Sequence, residues 1–127
     1  MQINEYQKLA MRTNDGKCTA RVREKIAESF RAPAFAVPAP GELLNGALGL
    51  TGEAGEVADM IKKHIFHGHA LDKEDLVKEI GDVCWYVALL TTAIGEDLES
   101  IMSKNIEKLK TRYPEGFSAE ASINRVI

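Results

Sequence analysis

At 127 residues the chain has room for a single domain with a small core, and no second domain is expected. Its 16 Lys and Arg against 19 Asp and Glu give a net charge of -3, which excludes the basic surface that sequence-independent nucleic-acid binding requires; an anionic substrate must be met by local cations. The two cysteines, Cys18 and Cys84, exclude a disulfide framework, and neither the polar start Met1–Lys8 nor the apolar run Val83–Ile94 reads as a leader or a membrane span, so a cytoplasmic protein without a membrane partner is expected.

Helical periodicity dominates and no stretch alternates with period two, so the predicted fold is all-α, a bundle of four to five helices. A first amphipathic helix is predicted over Asn4–Asn14, stopped by Asp15-Gly16, and a second over Thr19–Phe30. Arg31–Gly41 holds Pro33, Pro38 and Pro40 and reads as a loop. The third and longest helix is predicted from Glu42 to Phe66 or His67, ending near Gly68, with an apolar stripe of Leu43, Ala47, Leu50, Ala54, Val57, Ile61 and Ile65. Asp72 is the predicted N-cap of a fourth helix reaching Ile94, with a core stripe of Leu76, Ile80, Val83, Val87, Leu90 and Ile94; Glu79, Asp82 and Tyr86 form the stripe beside it. Cys84, Phe66 and Trp85 are expected in the core. Gly95 closes that helix, Asp97 caps the last one, Leu98–Tyr113, and Pro114 ends it; the tail Glu115–Ile127 is weakly patterned. Four helices of this size leave apolar surface uncovered, so completion by a homodimer or higher homo-oligomer is expected, with the site near or across the interface.

Two acidic words carry the chemistry. Glu53-Ala54-Gly55-Glu56 and Glu79-Ile80-Gly81-Asp82 each place two carboxylates three residues apart, on one face of a helix. An isolated pair of this kind is usually a solvated surface feature. Here the two pairs lie in neighbouring helices at similar height about the short turn Gly68–Asp72, so antiparallel packing brings them face to face. Desolvated, four such acids repel one another, and a hard divalent cation relieves the repulsion. The histidine three residues after glutamate that a di-iron bundle needs is missing, and an all-oxygen set suits Mg2+, with Mn2+ as a substitute. His64, His67 and His69 straddle a helix end without a cysteine pair and are not read as a zinc site.

Gly46, Gly49, Gly52 and Gly55 recur through the acidic helix, and Gly81 lies in the second acidic word. Each costs about 1 kcal/mol relative to alanine in a helix interior, so either close helix approach or room for a ligand must compensate.

The stretches Leu48–Asp59, Lys78–Val83 and Asn105–Pro114 resemble, in that order, the motifs of the MazG-like all-α nucleoside triphosphate pyrophosphohydrolases, over about residues 43–117 within a single domain 1–127. The resemblance implies Mg2+-dependent conversion of a (d)NTP to the (d)NMP and pyrophosphate, with a nucleotide-pool sanitising role. It implies Glu53, Glu56, Glu79 and Asp82 as metal ligands, Glu53 or Glu56 as the carboxylate that activates water, and Asn105, Lys108 and Arg112 as the phosphate grip. Many members carry a further glutamate before the first pair; Gly52 stands there in this chain. Tyr86, one turn after Asp82, is either a further phosphate contact or a core residue. Lys62 and Lys63 read as a solvated helix end. Related enzymes dedicated to phosphoribosyl-ATP, dUTP or dCTP are the nearest alternatives, and a non-enzymatic helical interaction module is the alternative from another class.

Overall fold

Strong local signals fix where the helices begin and end. The computed structural model describes residues 3–33 and 39–124. In chain order the helices are α1 (Ile3–Ala10), continued by a 3-10 turn (Met11–Thr13), α2 (Cys18–Arg31), α3 (Pro40–His67), α4 (Lys73–Ala93), α5 (Leu98–Arg112) and α6 (Ala119–Ile123). The fold is all-α, with no strand among the described residues. The expected loop is shorter than its prolines suggest, because α2 runs to Arg31 and Pro40 opens α3, a first-turn position where its missing N–H is no loss. The central part of that loop, 34–38, lies outside the described residues, as do 125–127 of the tail.

The turn between α3 and α4 is built from two local devices. Gly68 adopts φ +72°, a left-handed conformation that ends α3, and the His69 N–H reaches back to the Lys63 carbonyl at 3.2 Å. Asp72 then caps α4, its carboxylate accepting from the backbone N–H groups of Glu74 at 2.8 Å and Asp75 at 3.2 Å. Asp97 caps α5 in the same way through the Ser100 N–H at 2.8 Å. The short α6, capped by Ser118 through the Ala121 N–H at 3.0 Å, falls in the tail whose pattern is weak.

α3 and α4 form the one extensive helix pair among the described residues, and they run antiparallel. A Cβ on Gly46 would meet Leu90 at 2.7 Å, and a Cβ on Gly49 would overlap the Tyr86 ring. The Ala39 N–H donates to the Ala93 carbonyl at 3.4 Å, tying the open end of the hairpin. The glycine stripe therefore divides. Gly46 and Gly49 permit close approach, whereas nothing lies near the Cβ positions of Gly52, Gly55 and Gly81.

The expected α4 stripe holds in part: Leu90 packs on Gly46 and Leu76, Val83 and Val87 are half-buried, while Ile94 is exposed. Glu79, Tyr86 and Leu90 lie toward α3, while Ile80 remains 48% exposed. Cys84, Trp85 and Phe66 are exposed, not core residues, and Leu44 and Leu48 on α3 are also exposed. Among the described residues only Gly46 and Thr91 are buried, and no hydrophobic side chain is. α2 touches α3 lightly, α5 touches α4 lightly, and α5 forms no packed pair with α3.

Candidate metal centre

The hairpin that Gly46 and Gly49 draw together sets the acids opposite one another. Glu53 from α3 and Glu79 and Asp82 from α4 each offer an oxygen, and these three atoms lie within 4.8 Å of one another. Glu53 and Glu79 are half-buried in the seam and Asp82 is exposed at its edge. Among the described residues this is the only group of three or more acidic, histidine or cysteine side chains so placed. Glu56, one turn along α3, is exposed and outside the trio.

The electrostatics follow from that crowding. Burial pushes the Glu79 carboxyl above the ordinary glutamate value, and the negative charges of Glu53, Asp82, Glu56 and Asp75 push it further. Among the described residues no Lys or Arg pairs with Glu53, Glu79 or Asp82, and the nearby lysines are paired elsewhere. Lys62 and Lys63 both pair with Asp59, Lys63 at 2.6 Å, and Lys78 pairs with Asp75 at 2.6 Å. The two ammonium groups hold the Asp59 carboxyl down at about 2. Sequence reasoning gave Asp59 no part, although its spacing of three and four residues from the two lysines is the signal of such a pair. A site of hard oxygens with excess negative charge fits a divalent cation such as Mg2+.

The other expected residues are dispersed. Tyr86 packs its ring over Gly49, half-buried, and meets Trp85 edge-on with ring centroids 4.9 Å apart. Asn105 and Lys108 are exposed on α5. Arg112 is half-buried, with its Nε covered and lacking a hydrogen-bond partner. Because α5 is not packed on α3 and only grazes α4, a single chain does not pack this trio onto the acids. The histidines make a local cluster instead of a ligand set. His64 Nδ1 lies 2.9 Å from the His69 carbonyl, and the His67 and His69 rings meet edge-on at 6.5 Å. A groove of about 560 Å3 runs along α5 past Leu98, Met102 and Ile106, and it shares no residue with the acid trio.

Among the described residues no helix is long and apolar enough to cross a membrane. No solved structure matches the chain. The Gene 37 protein of Mycobacterium phage L5 is 35% identical over 82 residues, which cover 61% of this chain and 72% of the phage protein. The family model of the MazG nucleotide pyrophosphohydrolase domain matches residues 43–117, a span that begins on α3, takes in the whole acidic hairpin and ends just beyond α5. The chain therefore belongs to the MazG nucleotide pyrophosphohydrolase domain family.

Proposed function

We propose that this protein is a Mg2+-dependent nucleoside triphosphate pyrophosphohydrolase that converts a (d)NTP to the (d)NMP and pyrophosphate, acting in the cytoplasm as a homo-oligomer in nucleotide-pool sanitising. The observation that carries the reading is the convergence of Glu53, Glu79 and Asp82 on the α3–α4 seam. Family membership supplies the reaction class.

In this reading Glu53, Glu79 and Asp82 hold the ion. Bound Mg2+ would neutralise phosphate charge and polarise the bond to be broken, and Mn2+ would substitute. Glu56 stands beside the trio without belonging to it, which leaves its carboxylate free to orient a water. Glu56 takes a proton from that water as the water oxygen bonds to phosphorus, and the bridging bond between the α- and β-phosphates breaks to release pyrophosphate. Lys108 supplies a point charge and Arg112 a two-pronged grip on the phosphate chain, with Asn105 as a neutral donor. Tyr86 forms a wall of the site, its ring fixed against Gly49. Positioning and charge neutralisation account for most of the acceleration in such chemistry.

The test is product analysis. Wild type incubated with Mg2+ and a panel of nucleoside triphosphates, dUTP, dCTP and phosphoribosyl-ATP included, is expected to release pyrophosphate and monophosphate, and Glu56→Gln to be at least about 100-fold slower. Orthophosphate as the product, or full activity in Glu56→Gln, counts against the assignment. No turnover of any substrate favours a helical interaction module.

A further inference from the structure

Trp85 is the chain's single tryptophan, and it stands 57% exposed on α4, one turn from the acid cluster. An indole carries a large apolar area, and leaving more than half of it in water forgoes the stabilisation that covering it would bring. Its surroundings indicate what would cover it. At about 100° per residue, Tyr86 lies about 40° to one side of Asp82 on the helix and Trp85 about 60° to the other. Tyr86 is on the side of Gly49 and α3, which puts Trp85 on the side that opens to solvent.

The two rings meet edge-on with centroids 4.9 Å apart, so the indole leans toward Tyr86, and helical side chains also lean back toward the N-terminus, here toward Asp82. Among the described residues no other aromatic ring pairs with it. Gly81, four residues before Trp85 and on the same face, brings no side chain, and nothing lies within 4 Å of where its Cβ would stand. Beside the indole there is therefore bare space for a flat ring, next to a carboxylate of the trio that is itself exposed. Room for a ligand is the compensation open to a helical glycine that makes no close helix contact.

We propose that Trp85 is the platform on which the nucleobase of the substrate stacks. The proposal rests on the reading given under Proposed function for the phosphate end: the ion sits on Glu53, Glu79 and Asp82, and the phosphates sit on the ion. Tyr86 against Gly49 closes the seam beyond Asp82, so the nucleoside leaves over the exposed edge, where Trp85 stands. Trp85 is about 4.5 Å further along the axis than Asp82, within the span between the phosphates of a nucleotide and its base. Stacking accepts any base and grows with ring area. Trp85 thus separates nucleoside triphosphates from base-free polyphosphates and favours purines, and it does not read the groups on the edge of the base.

The test sets purine and pyrimidine α,β-imido deoxynucleoside triphosphates, which resist cleavage, against inorganic tripolyphosphate, which has the phosphates without a base, all with Mg2+. Because the chain has one tryptophan, its emission reports on position 85 alone. Both nucleotide analogues are expected to quench it, the purine more strongly, and tripolyphosphate to leave it unchanged. In calorimetry Trp85→Ala should weaken binding of the purine analogue by about 5- to 100-fold and leave tripolyphosphate binding unaltered, while Trp85→Phe keeps most of the affinity. No quenching by either analogue, equal quenching by tripolyphosphate, quenching that follows protein concentration instead of nucleotide, or unchanged nucleotide affinity in Trp85→Ala overturns the proposal. Those results leave the pyrophosphohydrolase reading standing as long as tripolyphosphate binds with Mg2+. Binding of neither compound overturns both, and base-dependent quenching without turnover of the cleavable triphosphates upholds the platform while the hydrolytic reading fails.

Discussion

Gly49 and Tyr86 occupy adjoining space so tightly that a side chain of any size at position 49 would overlap the tyrosine ring. Glu53 lies one helical turn beyond this contact and Asp82 one turn before it, so the packing that admits Tyr86 also sets the spacing of the acids. Gly49→Ala forces the ring to move, and overpacking outweighs the gain in helix propensity, giving an expected loss of about 1–2 kcal/mol. Gly52→Ala meets open space and should gain up to about 1 kcal/mol from propensity alone. Urea unfolding midpoints at constant slope measure both, and the opposite signs are the prediction.

The raised Glu79 carboxyl makes the metal-free protein pH-sensitive. The folded state holds that proton more tightly than the unfolded chain does, so the associated stability is full below the ordinary glutamate range and is lost as pH rises through the raised value. Thermal scans in EDTA should therefore show the metal-free protein gaining stability as pH falls from neutrality toward the ordinary glutamate range. Glu79→Gln should flatten that slope, and an unchanged slope in the variant would place its origin elsewhere.

In the proposed function Mg2+ is held by the folded hairpin and not by the unfolded chain, so it should stabilise by mass action. At a concentration about 100 times its dissociation constant the expected gain is about 2.7 kcal/mol. Asp82→Asn removes one of the three converging oxygens and should abolish most of the shift, as read by calorimetry with and without EDTA.

Arg112 and Lys63 are both cationic, but their surroundings differ. Lys63 is held by Asp59, whereas the Arg112 Nε has no partner. Lys63→Ala should leave kcat/KM within about twofold, in keeping with the small worth of exposed ion pairs. Arg112→Lys keeps the charge and loses the fork, and should lower kcat/KM by about 10- to 100-fold. Steady-state kinetics on the preferred triphosphate compares the two, and equal losses would argue against a phosphate grip at Arg112.

Helix ends were legible because each depends on a few adjacent residues. Asp72 and Asp97 cap as expected, and Gly68 stops α3 through its backbone conformation. The facing of the acidic words was legible in part: helix rise on either side of a short turn puts the two pairs at similar height, and Glu53 meets Glu79 and Asp82, while Glu56 stays outside the trio. The exposure of Ile80 and Ile94 was not. Periodicity weights large apolar residues, so it chose Ile80 and Ile94 for the core, while the true seam is set by Gly46 and Gly49, which have no side chain to weigh. Cys84 and Trp85, expected in the core, are exposed as well. Lys62 and Lys63 lie on a solvated helix end as expected, and their pairing with Asp59 follows from spacings of three and four residues.

The contrast between a tightly fitted hairpin and lightly attached helices has an evolutionary consequence. Gly46 with Leu90, Gly49 with Tyr86, and Glu53 with Glu79 and Asp82 are adjoining sets, so a change at one position is felt at its neighbours. The faces of α1, α2 and α5 are under no such mutual constraint within one chain, and substitutions there reshape the surroundings of the acids without disturbing their spacing. A lineage built on this hairpin can change what it recognises while inheriting its chemistry intact.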